Sequence, residues 1–232
     1  MLRLRNNVFL SNNIGESMKD ENQIFSEDGE FVPENKNNYL NSRGIVLIYG
    51  EFDFDLGVQI YSQFESAVQS ALRLNRDYVQ VNIDSNGGQL MVLNSVISAM
   101  QTFKPNSSFK YVGVAMGSCF SSAFNLLQHC DWRVGLRSSM FKFHFGSSAL
   151  GNRSLAAIAH DPDWFIKYMA PLSTNVLNPV ITRSGQDIEL LTKFAVLETT
   201  FTAEMALEYN FIDEVVDCVP KVSKKVPFLL DT

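Results

Sequence analysis

From Arg43 onward the chain switches between two spacings of apolar residues. "GIVLIYG", Gly44 to Gly50, is a short apolar run closed by glycine, as in a strand buried on both faces. The next segment, "LGVQIYSQFESAVQSALRL", places Ile60, Phe64, Ala67, Val68, Ala71 and Leu72 on one helical face. "YVQVNI" then alternates Val79, Val81 and Ile83 as a strand does, and "LMVLNSVISAMQTF" returns to a helical stripe of Leu93, Val96, Ile97, Met100 and Phe103. Strand "FKYVGVAM" leads into helix "SSAFNLLQH", and "WRVGL" and "SMFKFHF" read as two more strands. This alternation predicts an α/β fold with a mainly parallel sheet and right-handed crossovers.

The flanks read differently. Residues 1–42 are rich in Asn, Glu, Asp and Ser with scattered apolar positions. They are expected to form a polar, partly disordered arm with a short hairpin around Asp28-Gly29. Past Phe145 the rhythm weakens, and Pro162, Pro171 and Pro179 argue against one long straight helix over 153–182. "QDIELLTKFAVLETTFTAEMALEYNFIDEVVD" reads as helix, short extended segment, helix and a last apolar strand. The basic end "KVSKKVPFLLDT" reads as loose, with Phe228 to Leu230 able to dock on a neighbour. The expected organisation is an arm over 1–42, one domain over 43–217 and a tail over 218–232.

Composition narrows the function. The 232 residues suffice for a substantial core, and 19 basic against 25 acidic residues give a net charge of −6 with no basic block in the folded region. A nucleic-acid partner is therefore not expected. Cys119, Cys130 and Cys218 are few, odd in number and outside any C-x-x-C spacing, so they read as reduced thiols or small core residues. No apolar h-region follows the start, and no apolar run is long enough for a bilayer. The expectation is a soluble protein without a membrane partner, cytoplasmic or associated with an organelle or virus. His129-Cys130 does not give metal-ligand geometry, and "HDPD" (His160 to Asp163), which could imitate a metal site, reads better as a polar helix-breaking turn, so neither metal nor cofactor is expected.

Two Gly-rich turns end strands and open helices, where α/β sheets place their sites: "DSNGG" and "GSCFSS". Neither fits a dinucleotide fingerprint or a P-loop. In "VGVAMGSCFSSAF" the serines have two readings. One is a helix N-cap; the other is a nucleophile where backbone N–H groups face a developing oxyanion.

The order of motifs resembles the proteolytic subunit of the Clp protease, in the Clp/crotonase superfamily. That family has a strand ending in Asn-Ser-Pro-Gly-Gly, then Gly-x-Ala-Ala-Ser, then a strand ending in Ile-His-Gln-Pro. Last comes an Asp-bearing helix before an "A-x-E-A-x-x-x-G-L-x-D" segment. Here the counterparts are "IDSNGG" (Ile83 to Gly88), "GSCFS" (Gly117 to Ser121), "FHFG" (Phe143 to Gly146) and "LETTFTAEMALEYNFIDEV" (Leu197 to Val215), covering about residues 43–217. The resemblance implies a serine endopeptidase with Ser121 as nucleophile, His144 as general base and Glu198 in the place of the catalytic Asp. It also implies oxyanion donors at Gly87, with Gly88 beside it, and at Ser122. It further implies a heptamer-like oligomeric ring, polypeptide substrates and an AAA+ unfoldase partner.

The chain departs from that pattern at several points. Glu198 stands for Asp, with Asp187, Glu189 and Asp213 as alternative orienting carboxylates. Asp84 and Asn86 replace Asn and Pro before the glycines, and Asp84 is expected to point away from the oxyanion or to cap the next helix. The Gln-Pro after His is missing, and the proline-broken 153–182 lies where the family has its ring-joining handle helix. Cys119 takes an alanine position and reads as a packing residue, while Lys142 shares a strand face with His144 and raises a Ser–Lys alternative. A catalytically inactive ring subunit is the alternative of another class, and crotonase-type acyl-CoA chemistry is a third.

Overall fold

The computed structural model describes residues 23–25, 31–33, 36–145 and 176–224. The chain divides into two units, Met1–Lys36 and Asn37–Thr232. In the first, β1 (Gln23–Phe25) pairs antiparallel with β2 (Phe31–Pro33), and Asp28-Gly29 lies outside the described residues.

After α1 (Lys36–Asn41), the second unit runs as β3 (Ile45–Phe52), α2 (Phe54–Arg73), β4 (Tyr78–Gly88), α3 (Leu90–Phe103), β5 (Lys110–Phe120), α4 (Ser122–Gln128) and β6 (Trp132–Leu136). β7 (Met140–Lys142) follows, and residues 176–184 form helix α5, which includes Pro179. Then come α6 (Ile188–Val196), β8 (Thr200–Thr202), α7 (Ala203–Glu208) and β9 (Glu214–Val216). The expectation of a proline-broken 153–182 falls mainly on residues outside the described ones.

The strand order is β3-β4-β5-β6-β9, all parallel, with β7 parallel to β5 and antiparallel to β8. The α/β reading with a mainly parallel sheet therefore holds. Local chemistry sets the helices: Asp53 caps α2 by accepting the Leu56 N–H at 3.0 Å, and Ile60, Phe64, Ala67, Val68 and Ala71 face the core. Alternation along β5 splits its side chains between two faces. Tyr111 and Ala115 join the large core that α2, α3 and α4 help to form, while Val112 and Val114 pack with Tyr78 and Val134 in a second cluster.

That second cluster revises the expectation of a loose tail for the residues up to Ser223, while Phe228 to Leu230 lie outside the described residues. Val219 and Val222 pack onto it, and the Ser223 N–H donates to the Tyr78 hydroxyl at 2.9 Å. Burial of two valines outweighs the basic character of the segment that follows Cys218.

Both Gly-rich turns also differ from a simple loop. β4 runs on through Gly88, with Glu51 opposite Gly87 and Phe52 opposite Gly88 after a register shift. β5 changes partner along its length, from β6 over Val112–Ala115 to β7 over Ser118–Phe120. The two segments are thus held by sheet ladders up to the residue before each helix N-cap, Gly88 and Phe120, which fixes them far better than a free turn would.

Candidate active site

Ser121 follows β5 and precedes α4 with φ 53° and ψ −121°. For a residue with a Cβ this is a sparsely populated region, costing about 1–3 kcal/mol. Ser121 stands at the N-cap position, yet its side chain makes no capping bond. The N-cap reading thus describes its position and not its chemistry. Its N–H donates to the Lys142 carbonyl at 2.8 Å, and its own carbonyl accepts from the Asn125 N–H at 3.1 Å. Main-chain bonds on both sides hold the bend, and the hydroxyl is left to other uses.

The glycine pair lies against this elbow. A Cβ on Gly87, whose φ is +90°, would sit 2.6 Å from the Phe120 carbonyl oxygen, 2.7 Å from Ser121 Cβ and 2.8 Å from the Ser122 nitrogen. Only a residue without a side chain permits that approach. Ser122 Oγ donates to the Gly88 carbonyl at 2.8 Å, tying α4 to the same turn. The Ser122 N–H, at the first helical position, has no intrahelical acceptor. The Gly87 N–H, in contrast, donates to Ser85 Oγ at 3.0 Å, and Ser85 Oγ in turn donates to the Gly50 carbonyl. Ser85 was not among the expected site residues, although a serine two residues before the glycine whose N–H it accepts is a recognisable turn signal.

Asp84 points across the sheet. Its Oδ1 accepts the Ser118 N–H at 2.9 Å, and a Cβ on Gly117 would lie 2.6 Å from that same oxygen. The carboxylate therefore binds the neighbouring strand's turn and does not cap the helix after its own strand. Cys119 is fully buried, and burial first, then Cys130 and Asp84, pushes its thiol well above the ordinary value. A thiol so held supplies no thiolate, which agrees with a packing role.

His144 lies just past β7, beside buried Phe143. Phe143 stacks on Phe124 of α4 at 5.1 Å and on Phe201 of β8 at 6.1 Å, and Phe201 meets Phe194 of α6 edge-on at 5.0 Å. This aromatic cluster joins the segments that carry Ser121, His144 and Glu198. His144 Nδ1 lies 3.6 Å from Glu198 Oε1, and Lys142 Nζ lies 3.4 Å from Glu198 Oε2. Among the described residues no hydrogen bond joins Ser121 Oγ to His144. The pairing of Phe120 with Lys142 nevertheless brings their two strand ends side by side.

Glu198 itself has φ 47°. It follows α6 at the position glycine usually takes. The Glu198 N–H reaches the Ala195 carbonyl at 3.4 Å and the Thr199 N–H the Phe194 carbonyl at 3.0 Å, a Schellman ending. The alternative carboxylates have other partners. Asp187 caps α6 through the Glu189 N–H at 2.7 Å, which also places Glu189 in the helix's first turn. Asp213 pairs with buried Arg133 at 2.6 Å. Among the described residues no cluster of His, Cys, Asp and Glu could hold a metal ion, and no helix is long and apolar enough to cross a membrane.

Two comparisons bear on this arrangement. The family model for Clp protease matches residues 32–218. Over 180 residues the chain is 27% identical to ATP-dependent Clp protease proteolytic subunit 2 of Thermobifida fusca (strain YX), spanning 77% of this chain and 83% of that protein. The match takes in both glycine-rich turns, the His144 segment and the Glu198 corner, on a mainly parallel α/β sheet. The chain belongs to the Clp protease family.

Proposed function

We propose that the chain is a serine endopeptidase that cleaves unfolded or flexible polypeptides through an acyl-enzyme on Ser121. The observation that carries this reading is the Ser121 bend: a strained residue between strand and helix whose hydroxyl caps nothing. Strain of this kind persists where the surrounding structure over-determines it, and a strand-to-helix bend of this kind is how a nucleophile elbow exposes its Oγ.

His144 Nε2 takes the Ser121 hydroxyl proton as Oγ attacks the scissile carbonyl carbon. Nδ1 faces Glu198, which fixes the imidazole tautomer and stabilises the imidazolium. The tetrahedral oxyanion is received by the N–H groups of Ser122 and of the Gly87–Gly88 turn. Each such donor is worth about 2.7–4 kcal/mol in the barrier. For the Gly87 N–H to serve, Ser85 Oγ must release it when substrate binds. His144 then protonates the leaving amine, and water completes hydrolysis by the reverse sequence.

Membership of the family also supports assembly into a heptamer-like ring and work beside an AAA+ unfoldase. The Thermobifida protein is named as an ATP-dependent proteolytic subunit. Engagement of the Gly87 N–H by Ser85 favours the inactive-subunit reading, together with the departures from the family pattern. Degradation of a permanently unfolded polypeptide separates the two. The serine peptidase reading expects cleavage that falls about 10⁴-fold or more in Ser121→Ala. Cleavage that persists in Ser121→Ala, or no cleavage with or without partner subunits, contradicts it.

A further inference from the structure

Glu198 is a difficult residue to use as an orienting carboxylate. Its side chain is 57% exposed and carries three torsions, so on its own it keeps no fixed direction in water. We propose that Lys142 is the positioning residue that corrects this: it holds one oxygen of Glu198 so that the other stays on His144 Nδ1.

Three observations converge on Lys142. Its Nζ takes Oε2 at 3.4 Å while His144 faces Oε1 at 3.6 Å, so the two do not compete for one atom. The ammonium lies 5.4 Å from the centre of the Phe120 ring, the residue before Ser121, which restrains the lysine from its other side. And the Lys142 carbonyl accepts the Ser121 N–H at 2.8 Å. One residue therefore ties the main chain of the nucleophile, the ring beside it and the carboxylate behind the base. Lys142 and His144 are two apart near the end of β7 and rise on the same face, which is what lets one carboxylate bridge them. Among the described residues Glu198 is the charged group within ion-pair reach of His144, and Lys142 bears on the imidazole through it. This assigns Lys142 a role other than that of a Ser–Lys base, since its ammonium is turned to Glu198.

The inference rests on the serine peptidase reading, and one experiment separates the fate of the two. The rate of covalent labelling of Ser121 by a fluorophosphonate is measured on the full chain for wild type, Lys142→Met, Lys142→Arg, Glu198→Gln and the Lys142→Met/Glu198→Gln double variant. Thermal midpoints are taken in parallel, and Lys142→Gln replaces Lys142→Met should that variant fail to fold. Lys142→Met is expected to slow labelling about two- to fivefold, the range open to a largely exposed ion pair. Lys142→Arg restores most of that loss, and the double variant is no slower than Glu198→Gln alone, because Lys142 acts only through the carboxylate. Losses that simply multiply in the double variant, or a Lys142→Met rate equal to wild type, overturn the inference and leave the serine reading standing. A folded wild-type chain that stays unlabelled even with its partner subunits supplied overturns both.

Discussion

Glu198 occupies a corner where a glycine would be more stable, since a side chain in the left-handed region costs about 1 kcal/mol. Keeping a carboxylate there makes sense if it serves His144. Glu198→Gly is therefore expected to raise the thermal midpoint slightly or leave it unchanged, while slowing Ser121 labelling. Parallel melting and labelling rates check this; a midpoint that falls along with labelling would mean Glu198 serves the helix end alone. Ser121 and His144 could be singled out from motif order, because each sits in a short local pattern. The Ser85–Gly87 bond is local and could have been read as a turn. The Asp84–Ser118 bond was not legible, since it depends on which strand lies alongside. The free Ser121 hydroxyl was equally hidden, because a serine before a helix reads as a cap unless the backbone angle is known.

Among elements, the contrast between Glu198 and Asp213 shows what sequence leaves open. Both were candidates to orient His144, and only packing separates them. Asp213 follows α7 and reaches β6, where its two oxygens take the Arg133 Nε at 3.0 Å, an Arg133 terminal nitrogen at 2.6 Å and the Arg133 main-chain N–H at 2.8 Å. The Arg133 side chain is 3% exposed. Removing its partner strands a buried guanidinium, so Asp213→Ala should cost about 3–5 kcal/mol in a urea melt. The folded fraction should still label at Ser121. A stable Asp213→Ala protein that no longer labels would reverse these roles. The strand–helix order was readable throughout 44–145, because short apolar or alternating runs give way to a spacing of 3.6 at each strand-to-helix boundary. The continuation of β4 through Gly88 and of β5 through Phe120 was not. Glycines and serines carry no apolar period, and their extended form comes from the ladders of β3 and β7. The packing of 219–223 was missed for a related reason: two isolated valines give no signal until Tyr78 and Val134 are beside them.

For the molecule as a whole, Cys119 and Cys130 are buried and Cys218 is exposed. Iodoacetamide should modify only Cys218 in the native protein and all three after unfolding, read by peptide mapping. Burial, then Asp131, pushes the Cys130 thiol from 9.0 up to about 12. The unfolded chain releases that proton first, so the contribution is whole below pH 9 and is lost as pH rises toward 12. The drop in urea midpoint between pH 8 and pH 10 should accordingly shrink in Cys130→Ala; an unchanged drop would remove Cys130 from the alkaline sensitivity. The claim on which everything else depends is that Ser121 is an activated nucleophile. Its most direct test is fluorophosphonate labelling of the purified protein, mapped by mass to a single residue, with Ser121→Ala and Ser122→Ala alongside. The account expects one adduct on Ser121, absent in Ser121→Ala and retained in Ser122→Ala. An adduct on Ser122, or none in a folded protein supplied with its partners, would contradict it.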